Sequence, residues 1–130
     1  MLTNCILLLK LFPLLIQSLS LPDPNLKVST LDTFHMTTAD APQVVVTHVN
    51  SLIPAMLNLS KATEANTMKV RIAALRCLSQ FPSALRYDVL RPFKTQVLAE
   101  LAQALDDKKR LVRRHAVDCR AKWLVLNSHI

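Results

Sequence analysis

Cysteine and histidine residues are the side chains of this sequence that could bind a metal ion or perform thiol chemistry. The three cysteines, Cys5, Cys77 and Cys119, are widely spaced and form no CxxC pair. A structural zinc ion or an iron–sulfur cluster takes about four ligands, whereas the pair His115 and Cys119 supplies two. We therefore predict no metal site, no cofactor and no disulfide framework, and the odd cysteine count fits a reducing compartment.

Catalytic groups are the second chemistry to consider. We find no pairing of a nucleophile with a base, and the adjacent carboxylates Asp106 and Asp107 are interpreted as a helix corner and cap. The chain contains no glycine, which disfavours tight β-hairpins and the loops that cradle nucleotide phosphates. The sequence therefore predicts a protein that is not an enzyme.

A repeat of 42 residues organises the apolar positions. The tripeptide KVR recurs as LVR, and Val112 minus Val70 is 42. The apolar residues that follow recur at steps of 4, 3 and 4, which describe one face of a helix. They are Val70, Ala74, Cys77 and Phe81 in one copy and Val112, Ala116, Cys119 and Trp123 in the next. We predict that both cysteines are buried as small apolar residues.

A period near 42 with two helices per unit is typical of HEAT and armadillo repeats. Each unit is a helical hairpin whose apolar face is covered by the next hairpin. We predict an all-α solenoid of three hairpins, over residues 4–38, 42–80 and 83–126. The predicted helices cover 4–19, 25–38, 42–60, 67–80, 83–105 and 108–126. Pro42 and Pro82 are expected at helix starts, Pro13 and Pro54 inside helices, and Pro92 at a break.

The apolar run at the N-terminus admits two interpretations. As a secretion leader over residues 1–21 it lacks an early positive region, and Lys10 interrupts its apolar core. It is also shorter than the roughly 20 residues that span a membrane, so no membrane association is predicted. As the first helix of a repeat it fits the period, because one step back from Val70 reaches Val28 and one step back from Met56 reaches Leu14. We favour the second interpretation.

Charged residues recur at the corners between helices. Asp107 precedes Arg113 by six residues, and Asp23 lies at the same position of the first unit. Such an aspartate can cap the following helix and accept hydrogen bonds from an arginine of the neighbouring unit. The series is incomplete, because Ala65 occupies the aspartate position before Arg71 and the first unit has a serine in the arginine position. Ordinary caps and solvated arginines remain an alternative at each corner.

Positive charge is concentrated in the C-terminal half. Residues 1–67 carry three Lys/Arg and four Asp/Glu, whereas residues 68–130 carry thirteen and five. Five cations begin the last predicted helix, where they oppose the helix dipole: Lys108, Lys109, Arg110, Arg113 and Arg114. This basic cluster is either the solvated outer face of a terminal repeat or a surface that binds a partner. An acidic protein fits it better than nucleic acid, because aromatic side chains for base stacking are not interleaved with it.

Trp123 has two possible roles. The 42-residue register places it at the position of Phe81, facing the core. An aromatic residue at the open end of a solenoid could also anchor a partner. We predict the core position.

Three segments resemble one protein family. They are LDDKKRLVRRHAVDCRAKWLVL (105–126), MKVRIAALRCLSQFP (68–82) and APQVVVTHVNSLIPAMLNLS (41–60). They are similar to the extreme C-terminus of the MMS-nineteen family, the HEAT-repeat subunit of the cytosolic iron–sulfur protein assembly targeting complex, which is linked to nucleotide excision repair and TFIIH.

The resemblance implies a C-terminal fragment of a longer solenoid, with Met1 lying inside a repeat. It also implies an adaptor that binds the other subunits of the assembly complex and client apoproteins, in the cytoplasm and the nucleus, without holding a cluster itself. The basic cluster is the candidate surface for these partners. A general HEAT or armadillo scaffold, serving transport or phosphatase assembly, remains the alternative with the same fold.

Overall fold

The computed structural model describes the backbone of residues 2–126 and the side chains of residues 10–126. Within this range the chain forms eight α-helices, one 3₁₀ helix and no strand. The helices are α1 (Leu2–Ser18), α2 (Pro24–Asp40), α3 (Pro42–Val46), α4 (Val49–Leu59), α5 (Met68–Ala84), α6 (Tyr87–Leu90), the 3₁₀ helix (Arg91–Phe93), α7 (Lys94–Leu105) and α8 (Arg110–Leu124). The predicted all-α fold is confirmed.

The helices pack in the order of the chain. Helices α2, α5 and α8 form a row in which α5 contacts both of the others, while α4 packs against α5 and α7 packs against α8. At the end of the stack formed by the N-terminal helices, α1 contacts α2 and α3. Each pair therefore covers the apolar face of the pair before it, as in a solenoid.

Polar residues define where the second helix begins in each of the first two units. Asp23 is the N-cap of α2, and its carboxylate accepts hydrogen bonds from the backbone N–H groups of Asn25 (3.0 Å) and Leu26 (3.3 Å). Pro24 follows in the first turn, where its missing N–H costs nothing. Thr67 is the N-cap of α5 and accepts from the N–H of Val70 (3.3 Å). These caps supply partners for N–H groups that have none within the helix.

The repeated apolar positions line the core. The structure buries all eight residues of the two complete copies: Val70, Ala74, Cys77, Phe81, Val112, Ala116, Cys119 and Trp123. Val28, in the first unit, is half-buried and packs against the same core. Trp123 is completely buried, and its indole N–H donates to the carbonyl of Leu78 (2.8 Å).

Pro82 lies inside α5, not at a helix start, so the prediction for this residue was wrong. It stands in the last turn, and an α-helix would pair the N–H at this position with the carbonyl of Leu78, four residues earlier. Proline has no N–H. The Leu78 carbonyl accepts the indole N–H of Trp123 instead, so an interhelix contact replaces a bond within the helix.

The first helix of the middle unit is also different from its prediction, because it divides into α3 and α4 at Thr47 and His48. The Thr47 hydroxyl donates to the carbonyl of Val44 (2.7 Å), and His48 leaves the helical backbone region with φ −122° and ψ 9°. The His48 ring then lies 5.2 Å from the ring of Phe12 in α1. The third unit contains the predicted break, since Pro92 lies in the 3₁₀ helix.

The register of α1 corrects a second prediction. Leu14, expected to correspond to the buried Met56, is 61% exposed. Phe12 is the buried residue of this helix, and its ring lies 5.1 Å from that of Phe34 in α2. No other described helix covers the side of α1 that carries Leu11 and Leu14. The buried position therefore lies two residues earlier than predicted, and the aromatic side chain of Phe12, which is larger than that of leucine, packs in the core. Across residues 2–126, none of the helices has the length and apolarity to cross a bilayer.

Candidate protein-interaction surface

An ion pair joins the corners of the second and third units. The Arg71 Nε lies 2.8 Å from Oδ2 of Asp107, and the Arg71 Nη2 donates to Oδ1 of the same carboxylate (3.2 Å). The third nitrogen, Nη1, donates to the carbonyl of Asn66 in its own corner (2.7 Å). Both charged side chains are buried. Asp107 also accepts the N–H of Lys109 (2.9 Å), so it orders the start of α8 while it pairs with the arginine.

The preceding junction uses a different residue. Ala65 stands where the third unit has Asp107, and no arginine lies opposite. Lys27, in the first turn of α2, reaches across and its ammonium donates to the carbonyl of Ala65 (3.3 Å). Lys27 is only 5% exposed. This contact is not evident in the sequence, because Lys27 lies two residues before the position at which the period predicts an arginine.

Arg113 lies at the last junction. Its Nη1 donates to the carbonyl of Asp107 (2.7 Å) and to that of Lys108 (3.2 Å). Arg113 is half-buried, whereas the other four members of the basic cluster are exposed. Arg110, Arg113 and Arg114 surround an open depression together with Val117. The structure therefore brings three of the five predicted cations to one site, and Lys108 and Lys109 are not part of its lining.

The electrostatics of this site are unfavourable for the helix alone. The first turn of α8 contains no acidic residue, and no side chain caps its N-terminus at Lys109. Positive charges at the N-terminus of a helix oppose its dipole. Asp107, which holds the N–H of Lys109, is the nearest compensating carboxylate of the corner. A partner that brings negative charge to this surface would relieve the repulsion.

The predicted metal and thiol candidates lie in separate places. Burial raises the pKa of the Cys77 thiol to about 12, with a further contribution from the charge of Asp32, and the Cys77 Sγ contacts the carbonyl of Leu31 (3.1 Å). Burial likewise raises the pKa of Cys119 to about 12. His115 instead lines a polar surface groove. Among the described residues there is no group of three or more metal-ligating side chains; the side chain of Cys5, and His129, lie outside these residues.

That polar groove crosses α2, α5 and α8. His35, Arg76, His115 and Lys122 are among the residues that line it. Burial lowers the pKa of His35, and the positive charge of Arg76 lowers it further against the opposing effect of Asp32. The groove also contains Asp118 beside these residues, and it was not identified from the sequence, because its residues come from three units.

Helices stacked in chain order, with buried polar contacts at the corners, define an all-α, solenoid-like protein. A family model described as "RNAPII transcription regulator C-terminal", MMS19_C, matches residues 7–82 of the chain. The chain belongs to this MMS19 C-terminal family, and the resemblance found in the sequence is confirmed. The match of this family model ends before α8, so the basic cluster lies outside the residues that the model covers.

Curated relatives match over more of the chain. The chain is 45% identical to the human and 44% identical to the mouse "MMS19 nucleotide excision repair protein homolog", in each case over 118 residues. It is 36% identical over 115 residues to "DNA repair/transcription protein mms19" of Schizosaccharomyces pombe. The mammalian matches cover 91% of this chain and the yeast match covers 88%, and each covers 11% of the relative. The chain thus spans about a tenth of the length of these relatives.

Proposed function

We propose that this chain is a protein-interaction unit of an MMS19-type protein that serves DNA repair and transcription. The names of its relatives associate them with nucleotide excision repair and with DNA repair and transcription. Its membership of their C-terminal family supports the transfer of that role. In this proposal the unit works in the nucleus and the cytoplasm.

The finer proposal is that the chain acts as a non-enzymatic adaptor for iron–sulfur protein assembly. It would bind other subunits of the cytosolic targeting complex and client apoproteins, and so bring a cluster carrier close to the protein that receives the cluster. Holding two partners on one rigid scaffold raises their effective concentration without any chemistry by the scaffold. The iron–sulfur cluster is cargo here, and this chain supplies surfaces and no ligands.

The observation that carries this proposal is the basic cluster at the start of α8. Its cations are mostly exposed, three of them surround one depression, and they lie where helix electrostatics disfavour them. Charged side chains that weaken a fold locally are typical of surfaces that recognise an oppositely charged partner.

The test is a charge reversal of the four exposed cations, Lys108, Lys109, Arg110 and Arg114, to glutamate. The tagged full chain is used to recover subunits of the assembly complex from cell extract, with quantification by mass spectrometry. Wild type should recover them, and the variant should lose most of this recovery. The matched control reverses four exposed cations elsewhere, Lys10, Lys69, Arg86 and Arg91, and should retain it.

Two results would contradict the proposal. Equal recovery by the cluster variant and by wild type, with both folded by circular dichroism, would remove the basic cluster from the function. Recovery of transport or phosphatase subunits by wild type, without the iron–sulfur assembly subunits, would replace the adaptor role with that of a general scaffold.

A further inference from the structure

Two arginines 42 residues apart are anchored in the same way. Arg71 donates through Nη1 to the carbonyl five residues before it, that of Asn66 (2.7 Å). Arg113 donates through Nη1 to the carbonyl five residues before it, that of Lys108 (3.2 Å), and also to that of Asp107 (2.7 Å). In both cases the chain's own corner fixes one end of the guanidinium group.

The other edge of the guanidinium differs between the two residues. In Arg71, Nε and Nη2 hold the carboxylate of Asp107 from the following corner. Over residues 10–126, the ion pairs are Lys61–Glu100, Arg71–Asp107 and Arg86–Asp88. Within that range Arg113 thus has no carboxylate on the edge that Arg71 uses, although its anchoring is the same.

The other residues on the same face of each helix also differ between α5 and α8. On α5, Leu75 and Leu78 follow Arg71 at steps of 4 and 3, and both are fully buried. The residues 42 positions later are Val117, which is 56% exposed, and Arg120, which is also exposed. The face that α5 buries is therefore exposed on α8, and none of the described helices covers it.

The composition of this face shows what kind of partner fits it. Another apolar hairpin would bury Arg120 and the flanking Arg110 and Arg114 without compensation, which is costly. An acidic segment would compensate the same charges, and Val117 provides a central apolar contact. The carboxylate already bound by Arg71 shows that the anchored guanidinium of this fold can hold both oxygens of one carboxylate, one by a hydrogen bond from Nη2 and the other by an ionic contact with Nε.

The geometry points to Arg113 as the receptor for an aspartate or glutamate side chain of an acidic segment in a partner protein. The partner carboxylate occupies, relative to Arg113, the position that Asp107 occupies relative to Arg71. Arg110 and Arg114 flank it, and Val117 lies beneath. This deepens the proposed docking function, on which it rests, by naming the chemistry of the partner and the residue that recognises it.

The test observes Arg113 directly. The full chain is labelled with ¹⁵N at arginine, and the side-chain Nε–H resonances are followed by NMR at low ionic strength while capped hexaglutamate is added. The Arg113 resonance should shift toward the position of the Arg71 resonance and saturate. The Arg71 resonance should not move, because its carboxylate site is already filled.

A charge-preserving pair of variants separates a specific contact from diffuse attraction. Lysine cannot form the two-point contact that a guanidinium makes with a carboxylate. Arg113→Lys should therefore weaken hexaglutamate binding about tenfold. Arg91→Lys, the matched control at an exposed arginine outside the basic cluster, should change it less than about twofold. Helical circular dichroism and an unshifted Arg71 resonance show that both variants keep the fold.

Three outcomes would overturn the proposal, and none of them depends on the iron–sulfur assembly partners. In the first, other arginine resonances shift in wild type while that of Arg113 does not. In the second, the two variants bind hexaglutamate equally well, which would indicate a diffuse charge effect. In the third, hexathymidylate binds more tightly than hexaglutamate and moves the Arg113 resonance, which would indicate a phosphate partner.

Discussion

Arg71 and Asp107 form a buried ion pair between consecutive corners, and the pair is held by additional backbone contacts. Asn66 supplies a carbonyl to the arginine, and Lys109 supplies an N–H to the aspartate. Removing two charges from water is costly, and their attraction offsets this cost only where the geometry is good and the remaining polar groups are satisfied. Here Nη1 and Nη2 of Arg71 are hydrogen-bonded, whereas Nε and the Asp107 Oδ2 lie 2.8 Å apart without hydrogen-bond alignment. The loss of one member would leave a buried charge without its counter-ion, so it should be more harmful than the loss of a surface pair.

We predict that Asp107→Ala lowers the free energy of unfolding by about 3–5 kcal/mol, because it leaves a buried guanidinium without its counter-ion. Urea denaturation followed by circular dichroism measures the change. Glu100→Ala is the control, since it removes the partly exposed pair with Lys61 (3.2 Å) and should cost no more than about 1 kcal/mol. Similar costs for the two variants would show that the corner pair contributes little.

The two core cysteines allow a second prediction at this scale. Burial raises the pKa of both thiols to about 12, and the thiolate is the reactive form. In a Cys5→Ser background at about pH 8, Ellman's reagent should modify neither thiol of the folded chain and both after unfolding in urea. Rapid labelling without denaturant would contradict the buried positions of Cys77 and Cys119.

At the scale of helices, α5 and α8 are joined by a hydrogen bond that depends on a proline. The Leu78 carbonyl accepts the indole N–H of Trp123, and Pro82 cannot donate to that carbonyl within the helix. The two residues are therefore coupled although they belong to different units. A residue with a backbone N–H at position 82 could donate to the Leu78 carbonyl in place of the indole of Trp123.

We predict that Trp123→Phe costs about 1–3 kcal/mol beyond the loss of packing, because the buried Leu78 carbonyl loses its donor. Pro82→Ala should recover part of this cost in the Trp123→Phe background, since the new N–H can donate to Leu78. The measurement is a double-mutant cycle of urea denaturation, with an expected coupling of at least about 0.5 kcal/mol. Additive effects of the two substitutions would exclude the coupling.

At the scale of the whole molecule, the central position of α5 determines how the stack opens. This helix packs against three others, α2, α4 and α8. The main contacts of α1, within the described part of the chain, are with α2 and α3. In a linear stack each unit is stabilised by its neighbours, so the ends open at lower free energy than the centre.

We therefore predict a gradient of hydrogen exchange along the chain. Amides of α5 should exchange only through global unfolding, and those of α1 should exchange faster. Mass spectrometry of peptic fragments under native conditions measures both rates. Asp107→Ala should accelerate exchange in α8 more than in α2, because it breaks the junction on the α8 side. Uniform protection of all helices would instead indicate a single cooperative unit.

Much of the fold could be predicted from local patterns. The 42-residue period located the paired helices, and the buried positions of Val70, Cys77, Phe81 and their copies follow from a helical face that repeats. Leu14 and Pro82 were placed wrongly, because both depend on neighbours. Leu14 has no described helix packed over it, and Pro82 is tolerated within α5 because Trp123 donates to the buried Leu78 carbonyl that the proline leaves without a donor.

The candidate site was predicted only in part. The basic cluster is visible in the sequence, but the sequence does not distinguish Arg113 from Arg114. That distinction depends on backbone carbonyls that only the folded corner brings within reach. Lys27 is a similar case, since its contact with Ala65 crosses between two units.

The amino-acid sequence by itself determined most of the helices and the apolar faces that α5 and α8 bury, because these faces depend on residues three and four positions apart. The tertiary structure alone decided which polar atoms meet between units. Hydrogen bonds require donors and acceptors to be aligned within a few tenths of an ångström, and that alignment arises only when whole helices have packed against each other.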